Sequence, residues 1–194
     1  MKSNYVIWAH KAINGQCKLV GMKGFPEDWK LQHGKPVADV FPPSVNFSMN
    51  PDDPTGVFLT DSLRNIDRLI VASPRLRSLF ESNEVQRLEF LQVQVLNHKK
   101  RPIDEPYVIV HPTELVDCLV VDACEPRWGA IDPDSINDLM HLVIDESRIP
   151  ANRLLFRPKL YTKVILVQRN LAEQITAAGL TGVRWIELSN WPED

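Results

Sequence analysis

The hydrophobic residues of this chain fall mostly in short runs, and helical spacing is clearest in two segments. Ser73-Pro74 supplies an N-cap oxygen and a proline for the first helical position, and leucine and phenylalanine then recur at helical spacing, which predicts a helix over 74–82. Near the end, the apolar run 164–167 precedes a second helical pattern that Gly179 ends, and residues 183–188 are again apolar. The pattern therefore predicts a C-terminal strand-helix-strand unit.

The first fifty residues predict a hairpin followed by a loop. The short apolar segments 4–10 and 17–21 flank Asn14-Gly15, a dipeptide that readily adopts the positive φ of a tight turn, so we expect them to pair as a hairpin. Six prolines lie between residues 24 and 55. Because proline removes a backbone donor and restricts the residue before it, we predict that 24–55 is a long ordered loop with little regular structure.

The middle of the chain is rich in strand patterns. Residues 85–96 alternate between apolar and polar with one offset, which predicts a long strand with a bulge. The runs 107–110, 115–121 and 153–156 also read as strands, while 135–140 is a short helical candidate. Strands that follow one another with few, scattered helices are typical of an α+β fold with a mainly antiparallel sheet.

Composition limits the class of protein. A chain of 194 residues with 44% hydrophobic and 24% charged residues suits a single globular domain over 1–194. The net charge of -3 gives no general attraction to nucleic acid or anionic lipid. The chain lacks a signal-peptide pattern at its start and an apolar run of about 20 residues, and its three cysteines do not suggest a disulfide framework, so we expect a cytoplasmic protein that spans no membrane.

The usual motifs of catalysis and metal binding are missing from the sequence. We find no His-Glu-x-x-His, Cys-x-x-Cys or Gly-x-Ser-x-Gly pattern, and Cys17 stands in an apolar run typical of a structural cysteine. The glycine pair in Gly179-Leu180-Thr181-Gly182 is followed by a strand pattern, so we interpret it as a helix C-cap and turn, without a phosphate-binding role. We therefore predict no catalytic residues, no metal ligands and no cofactor.

Basic residues gather in one part of the chain and would be the candidate surface for a nucleic acid. They are Arg64, Arg68, Arg75, Arg77, Arg87 and the segment 98–101. Acidic residues alternate with them, which lowers the local potential. A solvated face of ion pairs is therefore the favoured interpretation over a phosphate-binding track.

An acidic stretch is the candidate surface for a protein partner. Its residues are Asp132, Asp134, Asp138, Asp145 and Glu146, with Arg148 as the one basic residue between 132 and 148. Such a patch can attract a basic partner, although carboxylates around 132–135 also suit a turn and a helix N-terminus. Trp128 stands beside Arg127 in a predicted loop, and tryptophan is enriched at binding hot spots. We predict that these six residues contribute to partner binding.

Several segments together resemble a bacterial immunity-protein family of polymorphic toxin systems, the eleventh in that classification. The segments that carry the resemblance are Ile70-Val71-Ala72-Ser73-Pro74-Arg75-Leu76, Tyr107-Val108-Ile109-Val110, Leu115-Val116-Asp117-Cys118-Leu119, Leu155-Phe156-Arg157, Ile165-Leu166-Val167, and Ala177 through Trp185 with its Gly-Leu-Thr-Gly turn. The family-like core spans about 52–191, whereas 1–50 adds little to the resemblance. The resemblance implies a cytoplasmic protein that binds and neutralises the toxin domain encoded beside it, with no cofactor and no turnover.

Three functional hypotheses follow from the sequence. The first is an immunity protein that neutralises its cognate toxin by occlusion. The second is a small-molecule enzyme whose active-site residues are too dispersed for motif recognition, and the third is a nucleic-acid-binding module that uses 64–101. The sequence assigns neither an oligomeric state nor the order of 24–55 in the absence of a partner.

Overall fold

A computed structural model describes residues 2–129 and 136–192 of the protein. Short strands dominate this part of the chain, and most helices are brief. In chain order the elements are β1 (Tyr5–His10), β2 (Lys18–Lys23), α1 (Trp29–Gln32), β3 (Asn46–Met49), β4 (Ser62–Asn65), β5 (Ile70–Ala72), α2 (Pro74–Ser82), β6 (Leu88–Gln92), β7 (Gln94–Leu96), β8 (Val108–Pro112), β9 (Leu115–Val116), β10 (Pro126–Trp128), β11 (Ile136–Leu139), β12 (Leu155–Pro158), β13 (Leu166–Gln168), α3 (Arg169–Ala177) and β14 (Val183–Glu187).

The described strands form two large sheets and one separate two-stranded ribbon. The five-stranded sheet has the order β14-β1-β13-β12-β9, and the seven-stranded sheet has the order β6-β8-β5-β4-β2-β3-β7. Most neighbours are antiparallel; the exceptions are the parallel pairs β9 with β12, β2 with β4, and β3 with β7. Strands β10 and β11 pair only with each other. The fold is therefore α+β with mainly antiparallel pairing, as predicted.

Apolar side chains fill three layers around the two sheets. The central layer joins them, because Val6 and Trp8 of β1 pack in one cluster with Ile70 of β5 and with the buried faces of α2 and α3. A second cluster covers the other face of the five-stranded sheet and includes residues of β11. The third covers the other face of the seven-stranded sheet. Each sheet thus buries residues on both of its faces.

The two helical patterns in the sequence are confirmed. Helix α2 begins at Pro74, and the Ser73 hydroxyl accepts a hydrogen bond from the Leu76 amide at 3.3 Å. The C-terminal unit forms as β13, α3 and β14, and Gly179 has a φ of +65° directly after the end of α3. Both predictions rested on capping residues, which act locally and are therefore visible in the sequence.

The predicted N-terminal hairpin is wrong. Strand β1 lies between β13 and β14 of one sheet, whereas β2 lies between β3 and β4 of the other. The turn forms at Asn14-Gly15, with a φ of +70° at Gly15, but it redirects the chain toward Phe58, whose amide donates to the Gly15 carbonyl at 2.8 Å. Because residues Tyr5 to Trp8 are all buried, β1 requires neighbours on both edges and cover on both faces.

Two further predictions are corrected by long-range pairing. The proline-rich segment 24–55 contains β3, which lies between β2 and β7, and its Phe25, Leu31 and Val45 pack on the seven-stranded sheet. The predicted long strand over 85–96 is two strands, since β6 pairs with β8 and β7 pairs with β3. Neither pairing leaves a local signal, because the partners are distant in sequence.

A buried carboxylate, Asp61, links the two sheets. Asp61 directly precedes β4, and its Oδ2 accepts hydrogen bonds from the Thr181 amide at 2.8 Å and the Thr181 hydroxyl at 2.9 Å. Its Oδ1 accepts from the hydroxyl of Ser73, the N-cap of α2, at 2.8 Å. Burial raises the pKa of Asp61, but these hydrogen bonds outweigh it and the pKa lies below its usual value. The Gly-Leu-Thr-Gly turn is therefore a structural contact, as interpreted from the sequence.

A buried cation, Arg157, makes a second link. Arg157 lies in β12 and is almost fully buried, and its Nη1 and Nη2 donate to the carbonyls of Thr162 at 2.6 Å and Arg68 at 2.7 Å. Both hydrogen bonds are to backbone carbonyls, and Arg157 forms no ion pair with any carboxylate in the described part of the chain. Burial, followed by the charge of Arg68, lowers the pKa of Arg157 to about 10, so that it stays protonated near neutral pH.

We predict that Asp61→Asn destabilises the protein by about 2 kcal/mol near neutral pH, because an amide nitrogen would face donors of Ser73 or Thr181. Urea unfolding measures the change. Since the folded pKa is depressed, the contribution of Asp61 is complete above its unfolded pKa of about 3.9 and is lost as the pH falls through the folded value. The difference between wild type and variant should therefore shrink in acid. Asp52→Asn, at an exposed position, is the control and should change stability little.

We predict that Gly182→Ala costs about 2–4 kcal/mol, because it combines left-handed backbone strain with a steric clash. Gly182 has a φ of +82°, and a Cβ there would lie 2.3 Å from the Ser62 carbonyl oxygen. Gly179→Ala is the matched control, since Gly179 has a φ of +65° but no atom within 4 Å of its added Cβ. The control should cost roughly 1–2 kcal/mol in urea unfolding. Equal losses in the two variants would contradict a close contact at Ser62.

Candidate partner-binding site

The ribbon of β10 and β11 lies outside both large sheets. Its register pairs Pro126 with Leu139 and Arg127 with Asp138, and then shifts so that Trp128 pairs with Ile136. Because of this irregularity, Ile136 and Leu139 are both buried although they stand three residues apart. Apolar residues three positions apart also lie on one face of a helix, which is why the sequence pattern predicted a short helix over 135–140. That prediction is wrong for the described residues of the segment, which form β11.

Three side chains attach β11 to the body of the protein. The Tyr161 hydroxyl donates to Oδ1 of Asp138 at 3.2 Å, and the indole Nε1 of Trp191 donates to the Leu139 carbonyl at 3.2 Å. The Lys163 ammonium donates to the carbonyl of Asn137. Burial, followed by the charge of Asp138, raises the pKa of Tyr161 to about 12, so the hydroxyl remains a donor near neutral pH. The ribbon is therefore held in one position on its β11 side.

The ribbon and the turn beside it expose apolar and acidic side chains together. Val120 precedes the 3₁₀ helix Val121–Cys124, and Met140 follows β11 with its amide bonded to the Cys124 carbonyl at 3.1 Å. Trp128 is 48% exposed. We call the exposed large apolar and acidic residues of this region the ribbon surface, and its members are Val120, Asp122, Glu125, Trp128, Asp138 and Met140; Arg127 is exposed beside them.

The predicted contact residues divide into three groups. Trp128 and Asp138 lie on the two strands of the ribbon. Asp145 caps a short 3₁₀ helix, where its Oδ1 accepts from the Ser147 hydroxyl at 2.6 Å and the Ser147 amide at 3.0 Å, and these two bonds lower its pKa. Glu146 binds residues at the start of the chain. Asp132 and Asp134 lie outside the described residues.

Glu146 fastens the start of the chain. Its Oε1 accepts from the Ser3 hydroxyl at 2.6 Å and the Asn4 amide at 2.9 Å, and its Oε2 accepts from the Asn4 side chain at 2.7 Å. Burial raises the pKa of Glu146, but these hydrogen bonds outweigh it and the pKa is lowered. Both Asp145 and Glu146 thus have local structural roles in addition to any role in partner binding.

Four members of the ribbon surface were not predicted as contact residues from the sequence. Val120 and Met140 stand next to hydrophobic runs that read as core, and Asp122 and Glu125 belong to no recognisable motif. Glu125 has a φ of +47°, an uncommon conformation for this residue type. The sequence offers no signal for it, because the conformation depends on the meeting of the 3₁₀ helix with β10.

Three of the basic residues that were considered for nucleic-acid binding form ion pairs with described residues. Arg75 contacts Asp61 at 3.4 Å, Arg77 contacts Glu81 at 2.8 Å and Arg87 contacts Glu114 at 3.5 Å. Arg64 and Arg68 make no ion pair with a described residue. Three of these five arginines therefore form the ion pairs that the sequence predicted.

In the described segments, neither the cysteines nor the other possible ligands form a metal-binding cluster. All three cysteines are buried and free. Burial is the main cause that raises the pKa of Cys17 to about 11 and of Cys118 to about 12, so both thiols stay protonated near neutral pH. Within 2–129 and 136–192, no group of three or more His, Cys, Asp or Glu residues could hold a metal ion.

Among the helices of residues 2–129 and 136–192, none has the length and apolarity needed to cross a membrane.

Comparison with known protein families gives a match that covers most of the chain. The model of the immunity protein family Imm11 matches residues 12–190. The chain therefore belongs to the Imm11 immunity protein family. The match includes the seven-stranded sheet, the Gly-Leu-Thr-Gly turn, the ribbon and every strand of the five-stranded sheet except β1. A comparison with curated proteins finds no significant match.

Proposed function

We propose that this protein is the immunity partner of a bacterial toxin, which it binds and neutralises by occlusion in the cytoplasm, without catalysing a reaction. The observation that carries the proposal is membership of the Imm11 immunity protein family over residues 12–190. An immunity role requires a stable surface that a toxin domain can recognise. We further propose that residues 1–194 fold as one domain, which the core cluster shared by both sheets supports.

The ribbon surface is our proposed contact with the toxin. Trp128 offers a large apolar side chain, and Val120 and Met140 extend the exposed apolar area on the neighbouring turns. Aromatic residues and methionine are enriched at the centres of protein interfaces. A ribbon fixed by hydrogen bonds on its β11 side loses little conformational freedom on binding, which favours affinity.

Acidic residues on the same surface indicate a basic partner. Asp122, Glu125 and Asp138 are exposed there, and Arg127 is the basic residue opposite Asp138. Negative charge at a binding surface raises the association rate with a basic partner and suppresses binding to acidic ones. Asp132 and Asp134 remain proposed contacts on sequence grounds. Asp145 and Glu146 also remain proposed contacts, at lower priority because they lie outside the ribbon and are only partly exposed.

We predict that Trp128→Ala weakens binding of the toxin domain encoded beside this chain by at least about thirtyfold, because hot-spot truncations cost roughly 2 kcal/mol or more. Isothermal titration calorimetry with the two purified proteins measures the affinity. Trp29→Ala is the matched control, since Trp29 and Trp128 are each 48% exposed and Trp29 lies in α1, outside the ribbon. The control should bind as wild type does.

Growth of a host that produces the toxin domain supplies the functional readout. Wild type and Trp29→Ala should restore growth, whereas Trp128→Ala should restore it only at higher expression. Equal loss of affinity in both variants would remove the ribbon from the proposal. Failure of the wild-type protein both to bind the toxin domain and to restore growth would contradict the immunity function itself.

A further inference from the structure

A small pocket lies where β1 meets the turn between β4 and β5. Its volume is about 200 Å³. Its polar lining residues are His10, Asn65, Arg68, Lys163 and Trp191. The lining contains two cationic side chains and, in the part of the chain that the structure describes, no aspartate or glutamate. We call it the Arg68 pocket.

The backbone of Arg68 is held in an uncommon conformation. Its φ is +56°, in the left-handed region that favours glycine. Several hydrogen bonds impose this turn: the Asn65 side chain bonds to both the amide and the carbonyl of Leu69, and Arg157 donates to the Arg68 carbonyl at 2.7 Å. Strained residues that the surrounding structure over-determines are concentrated at ligand-binding sites.

The guanidinium group of Arg68, an exposed residue, has no partner among the residues that the structure describes. It makes no hydrogen bond or ion pair with a described residue, whereas Arg148, Arg153 and Arg169 each bind a carboxylate. The adjacent carboxylate of Asp67 accepts a hydrogen bond from the Met22 amide at 3.0 Å. The fold therefore strains the backbone of Arg68 but leaves its five donors free for a ligand.

Two other groups complete the pocket. The Lys163 ammonium is held by the Asn137 carbonyl and lies 5.8 Å from the centre of the Tyr161 ring, so its charge has a fixed position. His10 has a buried Nδ1 with no hydrogen-bond partner among the described residues. Burial, followed by the charge of Arg64, lowers the pKa of His10 to about 4. The ring is therefore neutral near pH 7 and offers a hydrogen bond without adding charge.

We propose that the Arg68 pocket binds a single oxyanion group, a carboxylate or a phosphate, between Arg68 and Lys163. Arginine and lysine side chains form the strongest hydrogen bonds to such groups. The volume of about 200 Å³ is below the roughly 300–1,000 Å³ of drug-sized ligand sites, so it suits one group better than a whole nucleotide. Pairing with an oxyanion would also compensate the excess positive charge in the pocket.

The pocket adjoins the ribbon, which suggests one source of the oxyanion. Lys163 and Trp191 line the pocket and also donate to the carbonyls of Asn137 and Leu139 in β11. A toxin domain on the ribbon surface could therefore place an acidic side chain or its terminal carboxylate in the pocket. An oxyanion supplied by the toxin rests on the proposed function, whereas binding of a free phosphate or small carboxylate is independent of it.

Titration of the protein alone tests the site. We expect phosphate and acetate, added at constant ionic strength with chloride as the balancing ion, to shift the NMR signals of residues 65–69, 163–165 and the Trp191 indole in a saturable way. Arg68→Gly should weaken the binding at least about tenfold, the equivalent of one charge-assisted hydrogen bond. Glycine suits the φ of +56°, so this variant should fold with an unchanged or higher melting temperature.

Two further variants make the titration specific. Arg101→Ala is the control, because Arg101 is an exposed arginine that does not line the pocket, and the affinity of this variant for phosphate should change less than about twofold. Lys163→Gln leaves the β4–β5 turn intact and should also weaken binding. Absence of saturable shifts in the wild type, or equal losses in Arg101→Ala and Arg68→Gly, would overturn the proposal.

Affinity for the toxin domain distinguishes the two sources. If Arg68→Gly weakens binding of both phosphate and the toxin domain, the partner supplies the oxyanion. If it weakens phosphate binding alone, the site takes a free oxyanion. Wild-type protein that binds the toxin domain but neither phosphate nor acetate would contradict the site and leave the immunity function intact. Wild-type protein that binds phosphate or acetate but not the toxin domain would contradict the immunity function and leave the site intact.

Discussion

The hydrogen bonds to the buried carboxylate of Asp61 connect parts of the chain that are far apart in sequence. This side chain precedes a strand of the seven-stranded sheet, binds the N-cap serine of α2 and receives two hydrogen bonds from Thr181, which precedes the edge strand of the five-stranded sheet. Arg157 of β12, in the five-stranded sheet, makes a second connection, because it donates to the carbonyl of Arg68 in the turn between β4 and β5 of the seven-stranded sheet. Hydrogen bonds offset the cost of burying these charges. Asp61 accepts bonds from Ser73 and Thr181, whereas Arg157 donates through Nη1 and Nη2 and its buried Nε has no partner among the described residues.

The two sheets form a rigid base for a smaller surface element. The ribbon of β10 and β11 adds no strand to either sheet, yet Ile136 and Leu139 pack in the core beneath the five-stranded sheet. Tyr161, Lys163 and Trp191 hold its inner strand. An exposed tryptophan and several carboxylates are thereby presented on a fixed backbone, which is the arrangement that a tight and selective protein contact needs.

The sequence predicts those features of this fold that depend on neighbouring residues. Ser73-Pro74 and Gly179 determine where helices begin and end, and both were recognised because capping acts within a few residues. The N-terminal hairpin was predicted wrongly, because Asn14-Gly15 does form a turn but the choice of partner for β1 depends on strands about 160 residues later. Trp128 and Asp138 were both predicted to contact a partner and both lie on the ribbon, while the contact itself stays a prediction. Val120 and Met140 were not predicted, since exposure at the edge of a hydrophobic run depends on the tertiary fold.

Hydrogen–deuterium exchange on the complex with the proposed toxin partner locates the contact surface on this protein. Binding at the ribbon should slow amide exchange in 126–128 and 136–140 and in the adjacent 3₁₀ helix, while exchange in α2 and at the far edge strand β7 stays as in the free protein. A complex in which the ribbon exchanges as fast as in the free protein, with protection confined to another face, would contradict the assignment of the ribbon as the toxin-binding surface.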